Sequence, residues 1–295
     1  MTSVAVTVLA HNEERRIAGC LRSLLAEHRA LPIHVVVNGS SDRTADIARE
    51  IGKGRPNLSV HTYWEGGKAR SWNRLLFDEL RAFADVQVFV DGDAEVAPGS
   101  IGALTRALAE NPHANAASAL PMNGRNVASY RMYVREEHGL FGDLYALRGS
   151  LLARMKERQL RLPIDLVGDD GLIGALAKTD LGTEADWDES RVVPCAAAGF
   201  LCEPTSLLRP ATLGLQYRRM VNYSVRHFQN RIVSAIMRSD GPDGLPERLS
   251  HLYPHWLPRF APRSEPLYWW FDRVALARME RAARPSRQRM LRLAA

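Results

Sequence analysis

Residues 4–51 read VAVTVLAHNEERRIAGCLRSLLAEHRALPIHVVVNGSSDRTADIAREI, and their order decides the fold. Residues 4–9 are a short, β-branched apolar run of the kind that forms a buried strand. Ile17, Cys20, Leu21, Leu24 and Leu25 then recur at spacings of three and four, the period of an amphipathic helix. Residues 33–37 are a second strand, NGSSD is a turn, and residues 44–51 are a second helix. The alternation continues with a strand over 58–64, a helix over about 70–83, a strand over 86–90 and a helix over 100–110. This βαβα order predicts an α/β fold, a mostly parallel Rossmann-like central sheet with helices on both faces. Ligands of such sheets bind beyond the carboxyl ends of the strands. AHNEE, VNGSSD, EGGKAR and VDGDAE are therefore expected on one rim, although they lie far apart in sequence.

The second half is less regular. Residues 114–122 and 144–147 read as strands, LVGDDGLIGALAKT as a loop entering a helix, and 212–237 as a helix with Arg218, Arg219, Arg226 and Arg231 among apolar residues. Residues 241–266 are rich in Gly and Pro, which favours a wrapped loop. The 295 residues are 46% hydrophobic and 24% charged, which excludes wholesale disorder, collagen and disulfide-dense scaffolds. Cys20, Cys195 and Cys202 lack metal or disulfide spacing, so a reducing compartment is expected. The N-terminus has no basic region before its apolar run and reads as a strand, not a signal peptide. No window approaches the roughly 18 apolar residues of a membrane span. A cytoplasmic location is expected.

The formal net charge is +6, but residues 271–295 hold seven arginines against Asp272 and Glu280. The excess therefore sits in one tail, and no nucleic-acid partner is expected. Beside that tail, residues 267–271 (LYWWF) form an aromatic cluster, so the C-terminal region either touches the inner face of a membrane or packs against the rest of the chain.

The local signal with the most chemistry is Asp91-Gly92-Asp93, directly after the strand at 86–90. Two carboxylates at a strand end with a small residue between them can turn toward one hard divalent cation, completed by phosphate oxygens. A solvated acidic turn is the plainer reading of the tripeptide alone. Glu95 could add a ligand or face solvent.

Taken in order, VTVLAHNEE, VVNGSSDRT, GGKARSWNRL, VFVDGDAEV, LYALRG, VGDDG and QYRRM resemble a family 2 glycosyltransferase with a GT-A nucleotide-sugar-binding fold, of the nucleotide-diphospho-sugar transferase superfamily. The resemblance covers roughly residues 3–235. It implies a glycosyltransferase domain over 1–235, with a nucleotide-sugar half at about 1–125 and an acceptor half at about 126–235. A Pro-rich loop and basic helical C-terminal extension follow at 236–295. It also implies a metal-dependent enzyme, using Mn2+ or Mg2+, that moves one sugar from a nucleoside-diphosphate sugar to an acceptor with inversion. UDP is the favoured nucleotide, with dTDP and GDP as alternatives.

By the same resemblance, His11, Asn12 and Glu13 lie beside the base and ribose, and Asn38 stands where an acid or amide hydrogen-bonds the base. Val37 replaces the acid that usually precedes it. Lys68 and Arg70 match cationic positions near the diphosphate and sugar. Asp91, with Gly92, matches the position that touches ribose or metal, and Asp91 and Asp93 are the metal ligands. Asp170 aligns with the catalytic base of inverting transfer, and Asp169 takes the place of the glutamate before it. Gln216 to Met220 resembles the QxxRW signature of processive synthases, with Met220 where Trp is expected, which argues against polymer extension. Arg219 could approach the diphosphate. A non-catalytic nucleotide-sugar binding module and a nucleotidyltransferase are the alternatives. The latter normally opens with a Gly-rich phosphate loop that is missing here.

Overall fold

The structure is a computed structural model that describes residues 2–27, 30–124, 126–202 and 210–284. Eight strands form one sheet: β1 (Val4–Ala10), β2 (Ile33–Asn38), β3 (Leu58–Tyr63), β4 (Val86–Asp91), β5 (Ala94–Val96), β6 (Ala116–Pro121), β7 (Leu144–Arg148) and β8 (Val192–Cys202), in the order β3-β2-β1-β4-β7-β6-β8-β5. The first four pair in parallel, as the alternation predicts. Beyond β4 the sheet becomes mixed. β7 runs antiparallel to both β4 and β6, β6 pairs in parallel with β8, and β5 is antiparallel to β8.

Period-two alternation divides the core. Val6, Val8, Ala10, Val35, Val88 and Val90 face one apolar cluster, which includes α1 (Ile17–Glu27), the second helix α2 (Thr44–Gly52) and, further along, α4 (Ser100–Glu110). Leu9, Val36 and Phe89 face the other, shared with α3 (Lys68–Asn73), α6 (Gly149–Glu157) and α7 (Asp169–Lys178). Both faces are therefore covered, which is why β1, β2 and β4 are almost wholly apolar.

Several elements differ from the sequence expectation for definable reasons. The helix expected to 83 ends at Glu79, because α3 passes into a π-helical stretch, Arg74–Glu79, closed by Leu80 N–H donating to Leu75 O at 2.9 Å. β8 is hidden in VVPCAAAGFLC, where alanines and a proline dilute the strand pattern. Pro194 is tolerated because β5 pairs only with residues 200–202, leaving the outer side of β8 unpaired at Pro194. Only Val134 is buried in α5 (Val127–Glu136), so that helix shows no apolar stripe to read.

The long helix α8 (Pro210–Ser239) is followed by short turns, the single-turn α9 (Tyr253–Trp256) and α10 (Pro266–Ala283). Leu249, Tyr253, Ala275 and Met279 join the same buried cluster as Trp72 and Phe89. The 241–266 segment, expected as a wrapped loop, holds short helical turns and contributes Leu249 and Tyr253 to the core. Among the described residues no helix is long and apolar enough to cross a membrane.

Candidate active site

Register brings the strand ends level. Leu9 pairs with Asp91, Ala10 with Val37, and Asn38 with Tyr63, so the loops after β1 to β4 meet on one rim. The first two loops are laced together. Asn12, in the left-handed region at φ 56°, donates its N–H to Ser40 Oγ and accepts from Ser41 N–H, and Glu13 N–H donates to Thr44 Oγ1 at 2.7 Å. His11 meets the carbonyl of Asn38 through Nδ1 at 2.6 Å.

Asn38 ends β2 between the first and third loops. Its buried amide is turned into the protein, donating to Ala10 O at 3.0 Å and accepting from Gly67 N–H at 3.1 Å. It ties three loops together.

Gly92 is packed tightly. A Cβ there would lie 2.7 Å from the Cβ of Ala10, so no larger residue lets β4 turn over the end of β1. That turn places Asp91 and Asp93 on either side of a small space, and Asp143 closes it. Oxygens of Asp91, Asp93 and Asp143 all lie within 4.8 Å of one another. Asp143 was not singled out from sequence. It precedes β7, and only the antiparallel pairing of β7 with β4 brings the start of one strand to the end of the other. Its own N-terminal position before an apolar strand, FGDLYALR, was the available signal.

The three carboxylates offer only hard oxygen donors, which suits Mg2+ or Mn2+. Burial and the neighbouring acids hold Asp91 well above the usual carboxylate range against the pull of Lys68, and push Asp143 up to about 6. Glu13, also buried and close to Asp93, is pushed up to about 7 despite Arg16 and Arg219 nearby. Such crowding fits a space that a divalent cation would neutralise.

The shift at Asp143 fixes a sign. A carboxyl raised on folding binds a proton that the unfolded chain has already lost, so its contribution to stability falls as pH rises from about 4 to about 6. Asp143→Asn removes that dependence. In metal-free protein the variant is expected to gain in Tm relative to wild type between pH 5 and pH 8, measured by thermal melts. A constant difference across that range would contradict the buried, metal-ready environment of Asp143.

Cations surround the acids. Lys68 Nζ lies 2.7 Å from Asp91 Oδ1 and 3.6 Å from Asp169 Oδ1. Burial opposes its charge, but Asp169 and Asp91 outweigh that and hold the ammonium well above its usual range. Arg16 pairs with Glu13 at 2.5 Å and with Asp93 at 3.3 Å. Arg219 on α8 is near enough to Glu13 to act on it. Arg70 is not part of this group. It pairs with Glu65 and lines a neighbouring cavity of about 760 Å3 with Trp64, Arg74 and Ile164. Glu95 lies against α1, where a Cβ on Gly19 would meet its Oε1.

The two acids at the start of α7 separate in role. Asp169 is buried beneath Lys68, and burial pushes its carboxyl above the usual range. Asp170 keeps partial exposure, with 17% of its side chain in solvent. Its Oδ1 accepts from Gly171 N–H at 3.0 Å and pairs with Arg226 Nη2 at 2.9 Å. Its Oδ2 lies on the side of Gly142, where a Cβ would sit 3.5 Å from that oxygen and 3.4 Å from Lys68 Nζ. Arg226 passes over Gly168 on its way to Asp170. A Cβ on Gly168 would stand 2.5 Å from the arginine Cδ. Arg226 was visible in sequence as one of a row of arginines, without anything to mark it from the others.

A covered sheet with carboxylates gathered at its strand ends, and a second acid pair beside them, has the layout of the GT-A fold. The chain belongs to glycosyl transferase family 2, whose model matches residues 5–166. A 4,4'-diaponeurosporenoate glycosyltransferase from Staphylococcus haemolyticus (strain JCSC1435) is 31% identical over 94 residues, which is 32% of this chain and 25% of that protein. The chain thus matches about a quarter of the length of this curated relative.

Solved structures share the fold. The mannosyltransferase PcManGT from Pyrobaculum calidifontis, in complex with GDP-Man and Mn2+, superposes with a TM-score of 0.59 at 20% identity, covering 99% of this chain and 79% of that one. S. aureus TarS in complex with UDP-GlcNAc gives 0.51 at 16% identity, covering 96% and 82%. Glucosyl-3-phosphoglycerate synthase from Mycobacterium tuberculosis, in complex with Mn2+, UDP-Glc and phosphoglyceric acid, gives 0.51 at 18% identity, covering 76% and 79%.

Proposed function

We propose that this glycosyltransferase moves a single sugar from a nucleoside-diphosphate sugar to a hydroxyl or amine acceptor, with inversion at the anomeric carbon. The observation that supports the reading is that Asp170 Oδ2 and Lys68 Nζ both lie against Gly142, next to Asp143 of the Asp91, Asp93 and Asp143 cluster. In this reading the metal side carries the leaving group and Asp170 the acceptor. His11, Asn12, Glu13, Lys68 and Arg219 surround the nucleotide in this reading, and Asn38 holds the loops that do so. Structural relatives are bound to GDP-Man, UDP-Glc and UDP-GlcNAc, so UDP sugars are the first to test, followed by dTDP and GDP sugars.

Asp91, Asp93 and Asp143 would hold Mn2+ or Mg2+, which when bound neutralises charge developing on the departing diphosphate. Lys68 adds a fixed positive charge on the same side. Asp170 accepts the acceptor's proton as its oxygen or nitrogen attacks, while Arg226 fixes the other carboxylate oxygen and keeps the charged form aimed into the cleft. Asp169 holds Lys68 in place. The absence of Trp at Met220 fits one transfer per acceptor. The acceptor reaches this face from solution or from a membrane against which the C-terminal region rests.

The test is slow release of nucleoside diphosphate from UDP, dTDP or GDP sugars with Mn2+ and no acceptor, water taking the acceptor's place. Release from at least one donor is expected. A chain that shifts its melting temperature with a nucleotide sugar yet releases no diphosphate from any is a binding module, and the enzymatic mechanism proposed here fails.

A further inference from the structure

The N-terminal ends of α8 and α10 lie side by side, with Tyr217 and Phe271 rings 5.7 Å apart. Along these ends the described chain leaves large apolar residues in solvent. Leu213 is 55% exposed, Leu267 60% and Trp270 57%, and Leu215, Tyr217, Tyr268 and Trp269 are exposed beside them. A contiguous patch of this kind marks an interaction surface rather than chance exposure.

Its charge is as uneven as its hydropathy. α8 holds no acid, and at its N-terminal end Arg218 stands exposed beside Tyr217. Two further arginines lie against the exposed rings themselves. Arg263 stacks over Tyr268 at 4.2 Å, and Arg273 over Trp269 at 4.8 Å. Glu265 is the acid at this edge, while Asp272 is buried and bonded to Arg263 at 2.7 and 2.9 Å, fixing the bend that leads into α10.

We infer that the paired ends of α8 and α10 form a docking ridge for an anionic lipid surface. Trp, Tyr and Leu enter the boundary between headgroups and acyl chains, and arginines meet the lipid phosphates. A second copy of the chain suits this ridge less well, because a self-complementary contact would bring two basic surfaces together. The inference adds a partner to the transferase reading and does not depend on it, since binding is measured without turnover.

The test uses the full chain and sedimentation with two kinds of vesicle, phosphatidylcholine alone and phosphatidylcholine with phosphatidylglycerol. Wild type is expected to sediment with the anionic vesicles and to remain in solution with the neutral ones. The double variant Leu267→Ser, Trp270→Ser is expected to partition at least about tenfold less, since both side chains would otherwise enter the interface. Its melting temperature should be unchanged, because both residues are exposed. The inference is overturned if wild type ignores anionic vesicles. It is equally overturned if the double variant binds as wild type does, which would assign binding to the basic tail alone. A wild-type dimer in sedimentation velocity that the double variant dissolves would assign the ridge to self-association instead.

Discussion

Asp170→Asn is expected to lower the rate of sugar transfer by about 10²–10⁴-fold, the usual contribution of a positioned general base, while leaving nucleotide-sugar binding nearly intact. The two halves of that outcome have separate physical sources. An amide is close in shape to a carboxylate, so Gly171 N–H and Arg226 can still hold it in place. It cannot take a proton from the acceptor. The donor-side groups, Lys68 with Asp91, Asp93 and Asp143, are untouched. Single-turnover transfer and a nucleotide-sugar thermal shift, measured on the same preparation, separate the two. Near-wild-type transfer by the variant would remove Asp170 from the role of base. Loss of donor binding along with transfer would mean that the residue shapes the cleft and does not act on the acceptor.

Asp93→Ala is expected to act on the opposite half of the reaction. Metal-dependent nucleotide binding should weaken by about 100-fold or more, since even partners one shell removed from a metal cost roughly 10–100-fold. Metal-independent binding should change little. Calorimetric titration of the nucleotide with and without Mn2+ gives both numbers. Arg16 loses its contact with Asp93 in this variant but keeps Glu13 at 2.5 Å, so the first loop has a reason to stay in place. Equal affinities for wild type and variant in the presence of Mn2+ would show that the three carboxylates are not the metal site.

How much of this was legible in advance follows from the length scale of each signal. β1 to β4 and their helices are written in local periodicity, and their register then places the four rim loops together without further information. The DGD acids and the Asp169–Asp170 pair were likewise visible as local motifs. Asp143 was not, because its value depends on the direction of β7, a strand whose neighbour lies more than fifty residues earlier in the chain. Arg226 is of the same kind: its use depends on where the middle of α8 passes over the start of α7. Asn38 shows the reverse difficulty. Its position at a strand end was correctly read, but the direction of its amide is decided by Ala10 O and Gly67 N–H, which belong to two other loops. Membrane contact and packing are alternative readings of the C-terminal sequence, yet α10 buries Ala275 and Met279 while exposing Leu267 and Trp270. One helix can serve both ends because its buried face and its exposed first turns are different residues.

The missing side chain at Gly168 has a consequence for reading relatives of this chain. The space it leaves is filled by a guanidinium arriving from a distant helix, so positions 168 and 226 amount to one choice written in two places. A homologue with a bulkier residue at the first position cannot keep the arginine of the second in the same pose, and must steady its acid by another route. Aligned sequences sorted by whether both letters are kept would therefore divide into those that share this geometry and those that have replaced it.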